Sequence, residues 1–407
     1  MHQSYKYFLG LLVAGCSFFY AEPSFAVTAT VPSAVLQKSS LEISGWVPYW
    51  RKATGTREAI FHIDTFKEIN PFGYTVKKNG DLFDAMKISE EPWLALITTA
   101  RSKKIRVIPT VMWADTDAIH SILKNPKTRK AHIKGIVDMV KSQNFDGVDI
   151  DYEGKKAETR PYFSLFLKEL YAAMGKKWVM CTIEARTPLS ARYDTIPKDI
   201  EYANDYIAIN KYCDRVRIMA YDQGAIDLSL NRAGFGPYVP IADPLWVEKS
   251  INEAIKTIAK KKIVIGIPTY GYEYEVKQLQ QGYRYSRLWY FNQNYATSLA
   301  ASLGMEPSRT RSGELALLYT PVATSTAISN ERQDLSLSNN TGSASTTILG
   351  TISTSTNTPS VPPRILWWGD ASSIKDKVAL AKKLGVRGVA IFKIDGGMDQ
   401  AMWDALK

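Results

Sequence analysis

Phe145-Asp146-Gly147-Val148-Asp149-Ile150-Asp151-Tyr152-Glu153 is the stretch on which the reading of this chain turns. Side chains alternate along a β-strand, so Asp149, Asp151 and Glu153 share one face while Val148, Ile150 and Tyr152 share the other. In a barrel the apolar set meets the helices and the acids point at the axis. Three carboxylates there are costly. Burial and mutual repulsion both disfavour the charged form, so at least one is expected to titrate well above its ordinary value. That suits a general acid kept protonated near neutrality, and Glu153 lies nearest the carboxyl end of the strand, where barrel enzymes place their chemistry. Asp146 is off the acid-bearing face and, with Gly147, reads as structural. A hard-cation site is the rival use of clustered acids, but such sites usually draw on loops that supply carbonyls as well as carboxylates. A surface-exposed acidic strand is the other rival, and this strand's central position and apolar second face argue against it.

Outward from this strand the chain alternates short β-rich runs with helical patterns. Residues 43–47, 105–111, 148–152, 178–183, 216–221, 263–267 and 386–392 read as strands, and a weaker run near 66–75 makes eight. Between them lie apolar residues at three and four spacing, such as Ile133, Ile136, Val137 and Val140, or Phe163, Phe166, Leu167 and Leu170. Strand and helix repeated eight times predict an α/β fold, a (β/α)8 TIM barrel built from residues 42–271 and 364–407. The long interval between the seventh and eighth strands predicts a small α+β insertion over residues 272–363. Its first part carries Tyr283, Tyr285, Trp289, Tyr290 and Phe291, which can wall a cleft or pack within the insertion, and it ends in a strand-like run at 314–319. Residues 323–363 turn to Ser, Thr, Asn and Pro, too poor in large apolar side chains to offset their ordering entropy, and read as a flexible loop. The run 364–368 can then pair with 314–319.

The N-terminus reads as a secretory signal peptide: Lys6, a mostly apolar stretch over 7–20, and Ser24-Phe25-Ala26 as a cleavage site, followed by a linker over 27–41. Val13-Ala14-Gly15-Cys16 offers a lipoprotein cleavage box as the alternative, although the apolar run continues past it. The run is shorter than the roughly 20 residues that span a bilayer. The expected protein is therefore exported, either secreted or in the periplasm or cell envelope, with no integral membrane segment after processing. Cleavage after Ala26 leaves Cys181 and Cys213, which can pair in an oxidising compartment or remain two buried thiols.

At 407 residues, 45% hydrophobic and 22% charged, the chain is neither disordered nor collagen-like, and three cysteines do not make a disulfide scaffold. No nucleotide-binding glycine loop, Ser-His-Asp order, haem motif or zinc-like Cys/His spacing is present. Lys and Arg number 51 against 40 Asp and Glu, and signal removal leaves 50 against 39, so the net charge stays at +11. Such a balance can signal nucleic acid, but export and a locally acidic site point instead to an anionic envelope polymer.

Here the residues carry a resemblance. Asp146, Asp149, Asp151 and Glu153 match the DxxDxDxE signature of glycoside hydrolase family 18, the chitinase-like (β/α)8 enzymes. Met219-Ala220-Tyr221-Asp222 resembles the family's MxYD on the sixth strand, and Gly266-Ile267-Pro268-Thr269-Tyr270-Gly271 its GxPxYG after the seventh. Ile69-Asn70-Pro71-Phe72-Gly73-Tyr74, followed by Asn79-Gly80-Asp81-Leu82, is similar to the second strand and turn of a bacterial subgroup that includes spore-cortex hydrolases. Two departures stand out: Pro109-Thr110-Val111-Met112-Trp113 lacks the SxGG that often ends the third strand, and Phe392 stands where a Trp usually floors the cleavage subsite.

The resemblance implies a substrate-assisted retaining hydrolase acting on β-1,4-linked glycans that contain N-acetylglucosamine, in chitin or peptidoglycan; the chain is expected to be a monomer that needs no cofactor or metal. It implies Glu153 as general acid/base, Asp151 orienting the substrate's acetamido group, Asp149 tuning Asp151, and Tyr221 and Asp222 holding the acetamido group or its sugar. Trp46, Tyr49, Trp50, Phe72, Tyr74, Trp113 and Phe392, aromatic residues at strand ends, are candidates to stack on sugar rings. A catalytically weak glycan-binding protein on the same scaffold is the alternative, and retention of the terminal acid of the motif weighs against it.

Overall fold

The computed structural model describes residues 41–234, 236–321 and 361–407. The expected signal peptide, Cys16, nearly all of the linker and nearly all of the Ser/Thr-rich loop lie outside the described residues. Eight parallel strands close into a barrel: β1 (Glu42–Pro48), β2 (Glu68–Val76), β3 (Thr110–Trp113), β4 (Gly147–Tyr152), β5 (Trp178–Glu184), β6 (Arg215–Met219), β7 (Ile263–Pro268) and β8 (Gly388–Phe392). Each pairs with the next in sequence, and β8 pairs with β1 to complete the ring.

The helices between strands form where the apolar spacing predicts them. Pro126–Ser142 buries Ile133, Ile136, Val137 and Val140, and it begins with Asn125 accepting from the Lys127 amide and a proline in the first turn. Arg160–Met174 buries Phe163, Phe166, Leu167 and Leu170 against the barrel. The third strand departs from the expected continuous run. Arg106–Val107 pairs with β2, the ladder breaks at Ile108 and Pro109, and β3 resumes at Thr110. Pro109 has no N–H to give a ladder, which accounts for a break at that point.

At the amino end of the barrel Glu42 is held by Arg215 at 2.9 Å and by Arg387. Burial pushes its carboxyl up, but those hydrogen bonds outweigh it and hold Glu42 down at about 2. The stabilisation is therefore present above the ordinary carboxylate pKa and is lost as the pH falls towards 2. Arg106 and Arg215 also lie over the Trp178 ring, at 4.6 and 5.1 Å.

Only Thr269 separates β7 from the strand Tyr270–Gln278, which pairs antiparallel with Tyr283–Asn292 on one side and Arg364–Trp368 on the other. Leu315–Tyr319 pairs with Arg364–Trp368, as the two strand-like runs imply. The helix Gln293–Leu303 packs on this sheet through Ala296, Leu299 and Ala300, and Phe291 is buried with them beside Trp368. Buried Glu314 accepts from the Ile241 and Ala242 amides and from the Trp367 indole, all at 2.9 Å. Those bonds fasten the sheet to the loop that follows β6.

Cys181 on β5 and Cys213, just before β6, form a disulfide across 32 residues of chain. Closing a loop of that length stabilises the fold by about 2–4 kcal/mol through the unfolded chain. The double variant Cys181→Ser/Cys213→Ser should melt several degrees lower than the parent, and reductant should lower the parent's melting temperature but not the variant's, as read by thermal denaturation followed by circular dichroism.

Candidate active site

The alternation on β4 works out as its sequence implies. Val148, Ile150 and Tyr152 join the apolar cluster that faces the helices, while Asp149 and Asp151 are buried on the other side. Glu153 follows at the carboxyl end of the strand and is half-buried. Gly147 has no room for a side chain, since a Cβ there would lie 2.2 Å from the Trp178 carbonyl. Asp146 accepts from the Val107 amide at 2.8 Å, which ties the foot of β4 to its neighbour.

Asp149 is surrounded by donors from four other strands. Its carboxylate accepts from the Trp46 indole at 2.9 Å, from Thr110 at 2.9 Å and from Thr182 at 2.8 Å, and Arg217 Nη1 lies 2.9 Å away. Arg217 also pairs with Glu68 and reaches Asn70, which donates to Glu68 at 3.0 Å. Burial raises Asp149 to about 6 against the pull of its hydroxyl and indole donors. A raised carboxyl favours the fold below its ordinary pKa and loses that contribution as the pH rises through about 6, so Asp149 is a local cost at neutrality. Burial lowers Arg217 to about 9, which leaves the guanidinium charged there.

Asp151 has a quite different environment. One of its carboxyl oxygens is buried with no hydrogen-bond partner. Burial first, then the charges of Glu153, Asp149 and Glu184, push it well above the usual carboxylate range. Glu153 is raised too, by burial and then by Glu184, with Asp222 adding to the effect and Lys155 opposing it. Two neighbouring carboxyls with elevated proton affinity, one beside a fully hydrogen-bonded third, form a proton-holding set suited to general acid work.

Tyr221 lies just beyond β6, buried, with its phenol pushed far above its ordinary value by burial and then by Asp151. Its ring approaches Gly266 so closely that a Cβ there would be 2.8 Å from it. Asp222 adopts φ +59° and accepts from the Tyr270 hydroxyl at 2.5 Å and from Tyr272. Asp222 is exposed, yet protein atoms crowd its carboxyl, and that desolvation raises its pKa.

Phe392 stacks on Tyr221 at 5.5 Å and 14°, and meets Trp46, Phe72 and Tyr270 edge-on at 5.8, 6.0 and 6.1 Å. Phe72 is in turn edge-on to Trp50 at 5.7 Å, and Trp50 to Tyr49 at 5.1 Å. The result is an aromatic strip that runs from exposed Trp50 to the head of the axis.

Three expected sugar platforms are corrected. Trp46 is 1% exposed, roofed by Phe392, and its indole is committed to Asp149, so it offers no stacking face. Trp113 is 2% exposed and packs edge-on to Tyr152, because alternation along β3 turns Thr110 and Met112 inward and Val111 and Trp113 towards the helices. Tyr74 is buried in the same helix-facing cluster, since the register shift between Phe72 and Tyr74 puts it opposite Val111. Sequence reasoning passed over Arg217, Thr110, Thr182, Lys155 and Glu184. Arg217 was legible, as a lone cation flanked by Val216 and Ile218 on a strand, whereas Lys155 and Glu184 carry no local signal.

With this geometry in view, comparison with known proteins is informative. The sequence model of Glycosyl hydrolases family 18 matches residues 46–397. An uncharacterized glycosylase, YvbX, of Bacillus subtilis (strain 168) is 27% identical over 218 residues, covering 50% of this chain and 56% of the relative. The chain thus spans about half the length of the curated relatives it matches. Among solved structures, the spore cortex-lytic enzyme SleL of Bacillus cereus superposes with a TM-score of 0.64 at 17% identity, over 90% of this chain and 74% of that one. A plant class V chitinase mutant from Cycas revoluta, in complex with (GlcNAc)3, gives 0.65 at 13% identity, over 90% and 98%. At such identities the superpositions speak for the fold alone. The family match spans most of the chain and contains every member of the acidic row, and on that ground this chain belongs to glycosyl hydrolase family 18.

Proposed function

We propose that this chain is an exported hydrolase that cleaves β-1,4 bonds next to N-acetylglucosamine in cell-wall glycan, with chitin fragments as a second class of substrate. The observation that carries the reading is the acidic row that β4 sets up: Asp149 hydrogen-bonded in the axis, Asp151 above it with its proton affinity raised by burial and by neighbouring carboxylates, and Glu153 raised at the mouth. In family 18 the substrate's own acetamido oxygen replaces the enzyme nucleophile of other retaining glycosidases. Glu153 donates its proton to the glycosidic oxygen as the acetamido oxygen attacks the anomeric carbon, giving an oxazolinium ion and a free leaving hydroxyl. Glu153, now a carboxylate, then takes a proton from the water that opens the ring. Asp151 orients the acetamido N–H and, as a carboxylate once the proton it shares with Asp149 has passed to Asp149, balances the developing positive charge. Tyr221 and Asp222 fix the acetamido group for attack, over a floor of Phe392 and the strip leading to Trp50.

The net charge of +11 around an acidic cleft supports an anionic wall polymer as the main substrate. The apolar run and cleavage site within residues 1–26 support export.

Glu153→Gln should lower kcat about 10²-fold or more while melting temperature and oligosaccharide binding stay close to the parent's. The measurement is product formation from chitin oligomers and from peptidoglycan fragments by mass spectrometry, with calorimetry in parallel. Binding without product in the parent itself would overturn the hydrolase reading in favour of a glycan-binding protein. In the active parent, kcat/KM should fall as the pH rises through the elevated pKa of Glu153, because only the protonated acid can release the leaving group. A basic limb at the ordinary pKa of a solvated glutamate would contradict that role.

A further inference from the structure

Two residues beside the acid are unused by the chemistry above. Lys155 follows Glu153 by two positions, and its side chain is 1% exposed, folded back over the Phe163 ring at 4.8 Å. Its ammonium donates to the carbonyl of Tyr152 and lies 3.8 Å from Glu184 Oε2. Glu184, at the carboxyl end of β5, accepts from the Gly154 amide at 3.1 Å through its other oxygen, and Asn204 donates to Oε2 at 2.7 Å. Tyr152 and Gly154 are the residues on either side of Glu153. The chain is therefore held immediately before the acid by Lys155 and immediately after it by Glu184, and the two holders are paired with each other. A buried ammonium is unfavourable unless compensated, and here three carboxylates, Asp151, Glu153 and Glu184, surround it.

We propose that Lys155 and Glu184 are positioning residues for Glu153: an ion pair that grips the backbone on both sides of the acid and acts on it through opposite charges. This rests on the reading of Glu153 as the proton donor. The titratable groups facing Glu153 are Lys155 on its own loop, Asp151 on its strand, Glu184 from β5, and Tyr221 and Asp222 from beyond β6. Lys155 alone among them favours the carboxylate, while Glu184 and Asp222 favour the acid. During proton donation Lys155 supports the charge that appears on Glu153, and Glu184 keeps the proton in place until then.

The test is the pH dependence of kcat/KM on chitin oligomers and on peptidoglycan fragments, measured with the full chain carrying Lys155→Met, Glu184→Gln or both. Removing the cation should move the basic limb up by about one pH unit, and removing the carboxylate should move it down by about as much. The double variant should return it towards the parent. Glu184→Gln retains an acceptor for Gly154 and alters a partly exposed side chain, so it remains informative if Lys155→Met does not fold. Limbs that stay put, or move together, would overturn the proposal, since loss of a merely structural contact lowers activity without shifting limbs in opposite senses. If the parent turns over neither substrate, the reading of Glu153 as the proton donor fails by itself. The pair is then judged by carbon-13 NMR titration of the Glu153 carboxyl in the same variants, where opposite displacements support it and absent or parallel ones overturn it.

Discussion

The carboxylate of Asp149 in the barrel axis is the constraint on which the rest of this structure depends. Any charge there is unfavourable unless it is compensated, and groups from four other strands meet that requirement: hydrogen bonds from Trp46 on β1, Thr110 on β3 and Thr182 on β5, and the guanidinium charge of Arg217 on β6. β3 and β5 are thereby registered against β4 by a polar contact as well as by their ladders, and β1 and β6 by polar contact across the axis. Arg217 carries the network down to Glu68 and Asn70 on β2, so the polar core reaches from the foot of the barrel to the acids near its head.

Above Asp149 the axis changes character. Asp151 has a buried oxygen without a partner, and an aromatic cap formed by Phe392, Tyr221 and Phe72 closes over the neighbouring strands. The contrast between a satisfied lower carboxylate and an unsatisfied upper one separates the proton affinities along a single strand. Such a gradient is what a division of roles among three similar side chains requires. The inserted sheet adds to the same end of the barrel: Tyr270 and Tyr272, at its first turn away from β7, are the donors that hold Asp222.

Much of this was legible from local pattern. Alternation on β4 told which side chains face the axis, and the spacing of Ile133, Ile136, Val137 and Val140 told which helical face meets the barrel. The same parity applied to β3 turns Trp113 towards the helices with Val111, away from any sugar in the axis. Tyr74 is a different case. Its orientation depends on a register shift beside Gly73, and a shift of register belongs to the pairing of two strands, not to either one. Trp46 had the right parity but not the right depth, which only the packing of Phe392 above it reveals.

Alone, the sequence determined the period of each element, the inward set of carboxylates, the presence of an inserted segment before the last strand, and the family motifs. These depend on residues near one another along the chain, where backbone geometry fixes direction. Tertiary structure alone decided what the carboxylates meet: the donors around Asp149, the unpartnered oxygen of Asp151, the Lys155–Glu184 pair flanking Glu153, and the joining of Cys181 to Cys213. Those contacts join residues on different strands, and proton affinity in a barrel axis is set by the groups that closure of the sheet brings within a few ångströms.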